Sequence, residues 1–185
     1  MQIELLPLII SIIPFVWAAT LDVIPDITLQ RIVQPTGFGI MKTNLRVAKY
    51  NRTCAVLNGT IDTLVTFDNT FTFQMKTAYS RIGNNQFNEY PMKLAEQPFC
   101  HFMNESYRTF QDKLRDSTNL PQVGPEGICS IPAGHYWFKH LRHTLDNIPS
   151  VVPEGYWRLT FLMSGPVEVS EIQVYVILSR GTFGK

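Results

Sequence analysis

The 185-residue chain has almost no charge imbalance: 16 Lys and Arg stand against 15 Asp and Glu, a formal net charge of +1. Nucleic-acid binders carry a basic patch or stripe, so no electrostatic case for a nucleic-acid partner exists. Charged residues are only 17% of the chain and hydrophobic ones 45%, which excludes a disordered polyelectrolyte. There are no internal repeats, low-complexity tracts or charge runs, hence no linker and no sign of a second domain. Cysteine is sparse. The three residues, Cys54, Cys100 and Cys129, have no zinc-site spacing. No glycine-rich phosphate loop occurs, and Ser164-Gly165 lacks the G-x-S-x-G context of a nucleophile elbow.

Basic residues are missing from the first thirty positions, where Leu5–Ala19 forms an apolar run broken only by Pro7, Ser11 and Pro14. A spanning helix needs about 20 apolar residues, so the run is short for one. It suits the core of a secretory signal, with Val16 and Ala18 as the small residues before a cut after Ala18. An uncleaved anchor is the alternative. The expectation is a signal peptide over 1–18, a single mature domain over 19–185 and a secreted, extracellular product. Three sequons agree with export: Asn51-Arg52-Thr53, Asn58-Gly59-Thr60 and Asn104-Glu105-Ser106. In an oxidising compartment two of the three cysteines should pair. Cys100 and Cys129 are the expected pair, because closing their loop of about thirty residues would stabilise the fold by roughly 3–4 kcal/mol. Cys54 is then a free thiol or an intermolecular partner.

Aromatics are plentiful, at 12% with twelve Phe, and they alternate. Over Thr70–Tyr79, Phe71, Phe73, Met75, Thr77 and Tyr79 share one strand face. Gly83-Asn84-Asn85 turns into a strand near Gln86–Leu94, and Asn58-Gly59 reads as a hairpin turn between Arg46–Asn58 and Thr60–Phe67. Gly134–Leu141 is a further strand. Trp157, Leu159, Phe161 and Met163 alternate after Glu154-Gly155, and Ile172, Val174, Val176 and Leu178 share a face after Gly165-Pro166. Phe99, Met103, Tyr107, Phe110 and Leu114 step by four, four, three and four, an amphipathic helix opened by Pro98. The fold expected is mainly β, an antiparallel two-sheet sandwich with one helix inserted near 98–116.

In chain order, the stretches Asn51–Thr60 (NRTCAVLNGT), Gly83–Leu94 (GNNQFNEYPMKL), Pro98–Tyr107 (PFCHFMNESY), Cys129–Trp137 (CSIPAGHYW) and Val151–Phe161 (VVPEGYWRLTF) resemble a large insect family of secreted proteins without assigned function. That family is distantly similar to the ML lipid-recognition domains of the ganglioside-activator and Niemann–Pick type C2 kind. The resemblance runs from about Tyr50 to Tyr175. It implies a sandwich whose sheets splay to admit a lipid, with Cys100 and Cys129 at the family's paired positions. Cys54 and Ser130 depart from the family's pattern.

Catalytic readings fail on spacing. His135 and His140 lie an odd number of residues apart on a strand, as do Glu168 and Glu171, so neither pair shares a face. His143 adds no converging ligand, and Cys129 near His135 cannot be a thiolate nucleophile while disulfide-bonded. The expectation is a non-enzymatic protein without cofactor. Its partner is an apolar small molecule or lipid, with a membrane receptor as a further partner, and its oligomeric state is left open. The ligand would lie against Phe71, Phe73, Met75, Trp157, Phe161, Met163, Val174 and Val176. The alternative is an extracellular interaction module, a receptor or channel cofactor, in which those side chains fill an ordinary core.

Overall fold

The computed structural model describes residues 25–52, 54–142 and 151–181. The proposed signal segment and His143 lie outside them. Among the described residues, nine strands form two antiparallel sheets. The larger takes the order β1-β9-β8-β5-β6, from β1 (Pro25–Thr36), β5 (Thr72–Ser80), β6 (Asn88–Pro98), β8 (Gly155–Ser164) and β9 (Val169–Arg180). In the smaller, β4 (Ala55–Thr63) pairs with β2 (Met41–Thr43), β3 (Arg46–Lys49) and β7 (Gly134–Leu141).

Period-two alternation sets the faces of the larger sheet. On β9, Ser170, Ile172, Val174, Val176 and Leu178 are buried, while Glu171, Gln173, Tyr175 and Ile177 between them are not. Unbroken pairing aligns Trp157 with Val176 and Tyr79, and Phe161 with Ile172 and Met75. A one-residue slip would turn this whole set to the solvent side, so the hydrophobic pattern fixes the register.

Two sequence expectations need correction. Asn58-Gly59 is not a hairpin turn; both residues lie inside β4, and the chain reverses earlier, where Tyr50 N–H donates to the Cys54 carbonyl (2.9 Å). Gly59 has φ +132°, and the β4–β7 register shifts between Leu57 and Gly59. A Cβ there would overlap the Asn44 carbonyl, so glycine serves a bulge and a close backbone approach. The second correction concerns the helix. Helical turns run through α1 (Phe99–Phe102), a π-helical turn at Met103–Tyr107 and α2 (Arg108–Leu114). The wider π-turn delays the stripe. Phe99, Met103 and Tyr107 are buried, but Phe110 is 52% exposed, and Gln111 takes the inward position instead, bonding both ways to Val123 (Oε1 from N, 2.6 Å; Nε2 to O, 3.2 Å).

Strand β1 was not foreseen. Ile27 and Leu29 alternate correctly, but a register shift between Leu29 and Arg31 puts Ile32 out of phase with them. The strand still pairs along β9 and holds the sheets together at one edge: Gln34 Nε2 donates to the Met41 carbonyl (2.8 Å), and its Oε1 accepts from Thr43 N (2.8 Å).

The helix closes the other edge. Cys100 and Cys129 form a disulfide, Cα–Cα 4.4 Å, and Asn104 reinforces it one turn on. The Asn104 amide donates to the carbonyls of Cys100 (2.7 Å) and Ile128 (2.9 Å), and its Oδ1 accepts from Ile128 N (2.8 Å). Tyr107 donates its phenol to the Pro121 carbonyl (3.0 Å), and burial pushes its pKa up to about 12. Because the folded value lies above the unfolded one, near 10, the neutral phenol stabilises the fold fully below pH 10, and this contribution is lost as pH rises toward 12. Denaturant titrations of wild type should show that loss. Tyr107→Phe, already lacking the hydrogen bond, should lose less over the same window, and equal slopes for the two proteins would refute the linkage.

Candidate binding site on the inner sheet

Seven of the eight residues expected to face a ligand come from adjacent strands of the larger sheet, all on its inner face. Phe73 lies opposite Met163, Met75 opposite Phe161, and Trp157 opposite Val176, with Val174 opposite Leu159; Phe71 precedes β5. Six of these residues belong to, or pack against, the hydrophobic core: Phe71, Trp157, Phe161, Met163, Val174 and Val176. Helix α1 adds Phe102, stacked on Phe73 with ring centroids 3.7 Å apart.

The two ends of this face are packed. At one, Trp157 is 3% exposed, wedged between the rings of Tyr79 (5.1 Å) and Tyr90 (4.7 Å), with its indole N–H on the Pro153 carbonyl (3.1 Å). At the other, Phe67 meets Phe71 edge-on (5.1 Å) and Phe99 at a tilt (5.9 Å). The middle differs. Leu159, Phe161, Met163, Phe73 and Met75 occupy two strands with neighbours on both sides, yet each is only partly buried. The opposing sheet does not seal them.

Two hollows were resolved elsewhere, on the outer side of the same sheet. One, about 220 Å³, is lined by Lys76, Glu89, Arg158 and Glu171 among others. The second, about 230 Å³, includes Arg31, Phe87, Tyr156 and Tyr175, and touches Trp157 and Val176. Neither is the space between the sheets in which the resemblance places a lipid. On this outer face Arg31 stacks over Tyr175 (3.9 Å), Phe87 meets Tyr175 edge-on (5.6 Å), and Arg158 lies over Phe87 (5.3 Å). That ladder was invisible in the sequence, since its members come from β1, β8, β9 and the loop before β6.

The residues considered for catalysis stay apart or are used structurally. His135 Nδ1 meets Asp62 Oδ1 across β4 and β7 (2.5 Å) on an exposed surface. The His140 N–H donates to Asn58 Oδ1 (2.6 Å), and Glu168 accepts from Gly39 N (3.0 Å). Arg142 donates to the Cys54 sulfur (3.2 Å), and Cys54 is unbridged. Among the described residues, no three His, Cys, Asp or Glu side chains converge as a metal site.

The sequons differ in setting. Asn51 is exposed between β3 and β4, Asn58 is half-buried on β4, and Asn104 spends its carboxamide on the three backbone bonds above.

Residues 71–159 match the model of a family described as "Protein of unknown function (DUF1091)". No curated protein matches the chain. The match spans just under half of the sequence, from Phe71 through the helix, the disulfide and β7 to Leu159 on β8. It therefore holds the helix-closed edge and half of the inner face. β1, the smaller sheet's β2–β4 and all of β9 lie outside it. The matched family has no stated activity, so the chemistry must come from the geometry.

Proposed function

We propose that the protein is a secreted, non-enzymatic binding protein for a lipid or other apolar small molecule, held between the two sheets. One observation carries the reading: the middle of the larger sheet's inner face stays partly uncovered, although its strands are internal. A closed sandwich interdigitates its inner side chains over a gap of about 10 Å. Here Phe73, Met75, Leu159, Phe161 and Met163 keep reachable surface between two well-packed ends. Two of the five are Met, whose thioethers repack around ligands of different shape. The resemblance of the sequence to an insect family that is distantly similar to ML domains points the same way. The tight packing of Trp157 and Phe99 favours the second reading, an extracellular interaction module with a filled core.

Expression in insect cells tests both parts. The protein should enter the medium beginning near Ala19 and carry glycan at exposed Asn51. Asn104 should stay unmodified, because a glycan there would replace one of the two amide hydrogens that bond the Cys100 and Ile128 carbonyls. Native mass spectrometry of that material should show a co-purifying apolar mass. Full-length protein retained in the cytosol would end the secretion reading. Ligand-free protein that fails to bind any apolar probe would leave the interaction module standing.

A further inference from the structure

Among the described residues the middle of the inner faces carries no charge, and this limits what such a ligand can be. Lys49, opposite Ala55, and Arg180, in phase with Leu178, stand only at strand ends. In the larger sheet Lys76, Arg158 and Glu171 alternate outward, and all three line the outer hollow. In the smaller sheet Asp62, His135 and Lys139 are on the side opposite Ile61, Tyr136 and Phe138, which pack with the core. The polar atoms of the inner faces are also spent. Thr77 donates to the Met92 carbonyl, Tyr79 to Glu154 (3.0 Å), Trp157 to Pro153 (3.1 Å) and Tyr136 to Pro132 (2.7 Å). A buried hydroxyl satisfied by a backbone carbonyl has no donor left for a ligand. Tyr90 stands apart. It faces inward opposite Thr77, its ring packs on Tyr79 and Trp157, and its phenol has no acceptor among the described residues.

We infer that the bound molecule is uncharged along its buried length, a hydrocarbon chain or ring system carrying at most one neutral oxygen, which accepts a hydrogen bond from Tyr90. This rests on the binding reading above. An ionised headgroup drawn into the middle of these faces would lose its hydration and find no counter-charge beside it, a large cost. A neutral alcohol, aldehyde or ester oxygen needs one donor, and Tyr90 supplies it. That bond would orient the chain along Leu159, Phe161 and Met163.

The test uses the secreted, delipidated protein with N-phenyl-1-naphthylamine as reporter, displaced by dodecanol, dodecanoate and dodecane. Dodecanol should displace the reporter at least about tenfold more effectively than dodecanoate at neutral pH, a difference of about 1.4 kcal/mol. The gap should shrink as acidification protonates the acid. Tyr90→Phe should abolish the preference for dodecanol over dodecane while leaving dodecane unaffected. Equal displacement by dodecanoate at neutral pH would overturn the neutral-ligand inference and leave an apolar carrier intact. A preserved dodecanol preference in Tyr90→Phe would overturn the role of the phenol. Absence of saturable reporter binding, or displacement by none of the three, would overturn the carrier reading itself.

Discussion

Replacing Cys100 and Cys129 together by alanine should lower stability by roughly 3–4 kcal/mol, the loop-closure value for a bridge of this span. For a chain of this size that corresponds to a fall in Tm of about 6–16 °C. The bridge spans 29 positions and ties the first turn of the helix to the segment before β7. Without it, the segment between helix and β7 regains its freedom in the unfolded chain. The same junction is held by Asn104, so the two are not independent. Asn104→Ala would strand the Ile128 N–H and carbonyl, each at a cost of about 1–3 kcal/mol where water cannot replace the lost bond. A double-mutant cycle should show coupling of about 0.5–3 kcal/mol, as for neighbours sharing one structural element. Thermal unfolding at fixed pH reads all four proteins. An unchanged Tm in the cysteine variant, or strict additivity with Asn104→Ala, would mean the helix edge is held by its apolar contacts alone.

The parts of the fold that the sequence makes legible are those governed by strict alternation. Phe71 to Tyr79, Trp157 to Met163 and Ile172 to Leu178 each present one apolar face, and the sheet joins those faces in register. The disulfide was legible too, from loop length and chain context. What escaped were departures of one residue. The bulge between Leu29 and Arg31 hides β1 by changing phase in mid-strand. Asn58-Gly59 has the composition of a turn, but positive φ serves a bulge equally well. The π-turn at Met103–Tyr107 moves Phe110 into solvent, and nothing in a list of apolar spacings marks an extra residue per turn. The site is legible to the same depth. Alternation shows which side chains face inward, but which of them stay uncovered depends on the opposing sheet. That sheet is set by long-range pairings such as β4 with β7 and by the Gln34 bonds between β1 and β2.

Phe99→Ala and Phe161→Ala should separate a filled core from a ligand space. Both remove the same atoms from the apolar interior, so hydrophobic transfer alone predicts equal losses. Phe99 is 1% exposed, ringed by Phe67 (5.9 Å) and Phe102 (6.4 Å), and its truncation leaves a void in dense packing. That change should cost about 3–5 kcal/mol, the usual range for buried Phe to Ala. Phe161 is partly exposed, and its aromatic contact is a tilted one to Phe73 at 6.4 Å. If it borders an open space, part of its surface has no protein partner to lose. Its truncation in ligand-free protein should then cost clearly less, about 1–2 kcal/mol, since the cavity term of the large-to-small penalty is already present in wild type. The order should reverse in binding. Phe161→Ala should weaken apolar-ligand binding by about tenfold, because the ligand then buries against missing atoms, at roughly 25 cal/mol per Å² of apolar surface. Ligand added at saturation should accordingly raise the Tm of wild type more than that of Phe161→Ala. Equal destabilisation by the two substitutions, with no ligand-dependent shift in either, would show that the sheets close over Phe161 and that its face is ordinary core.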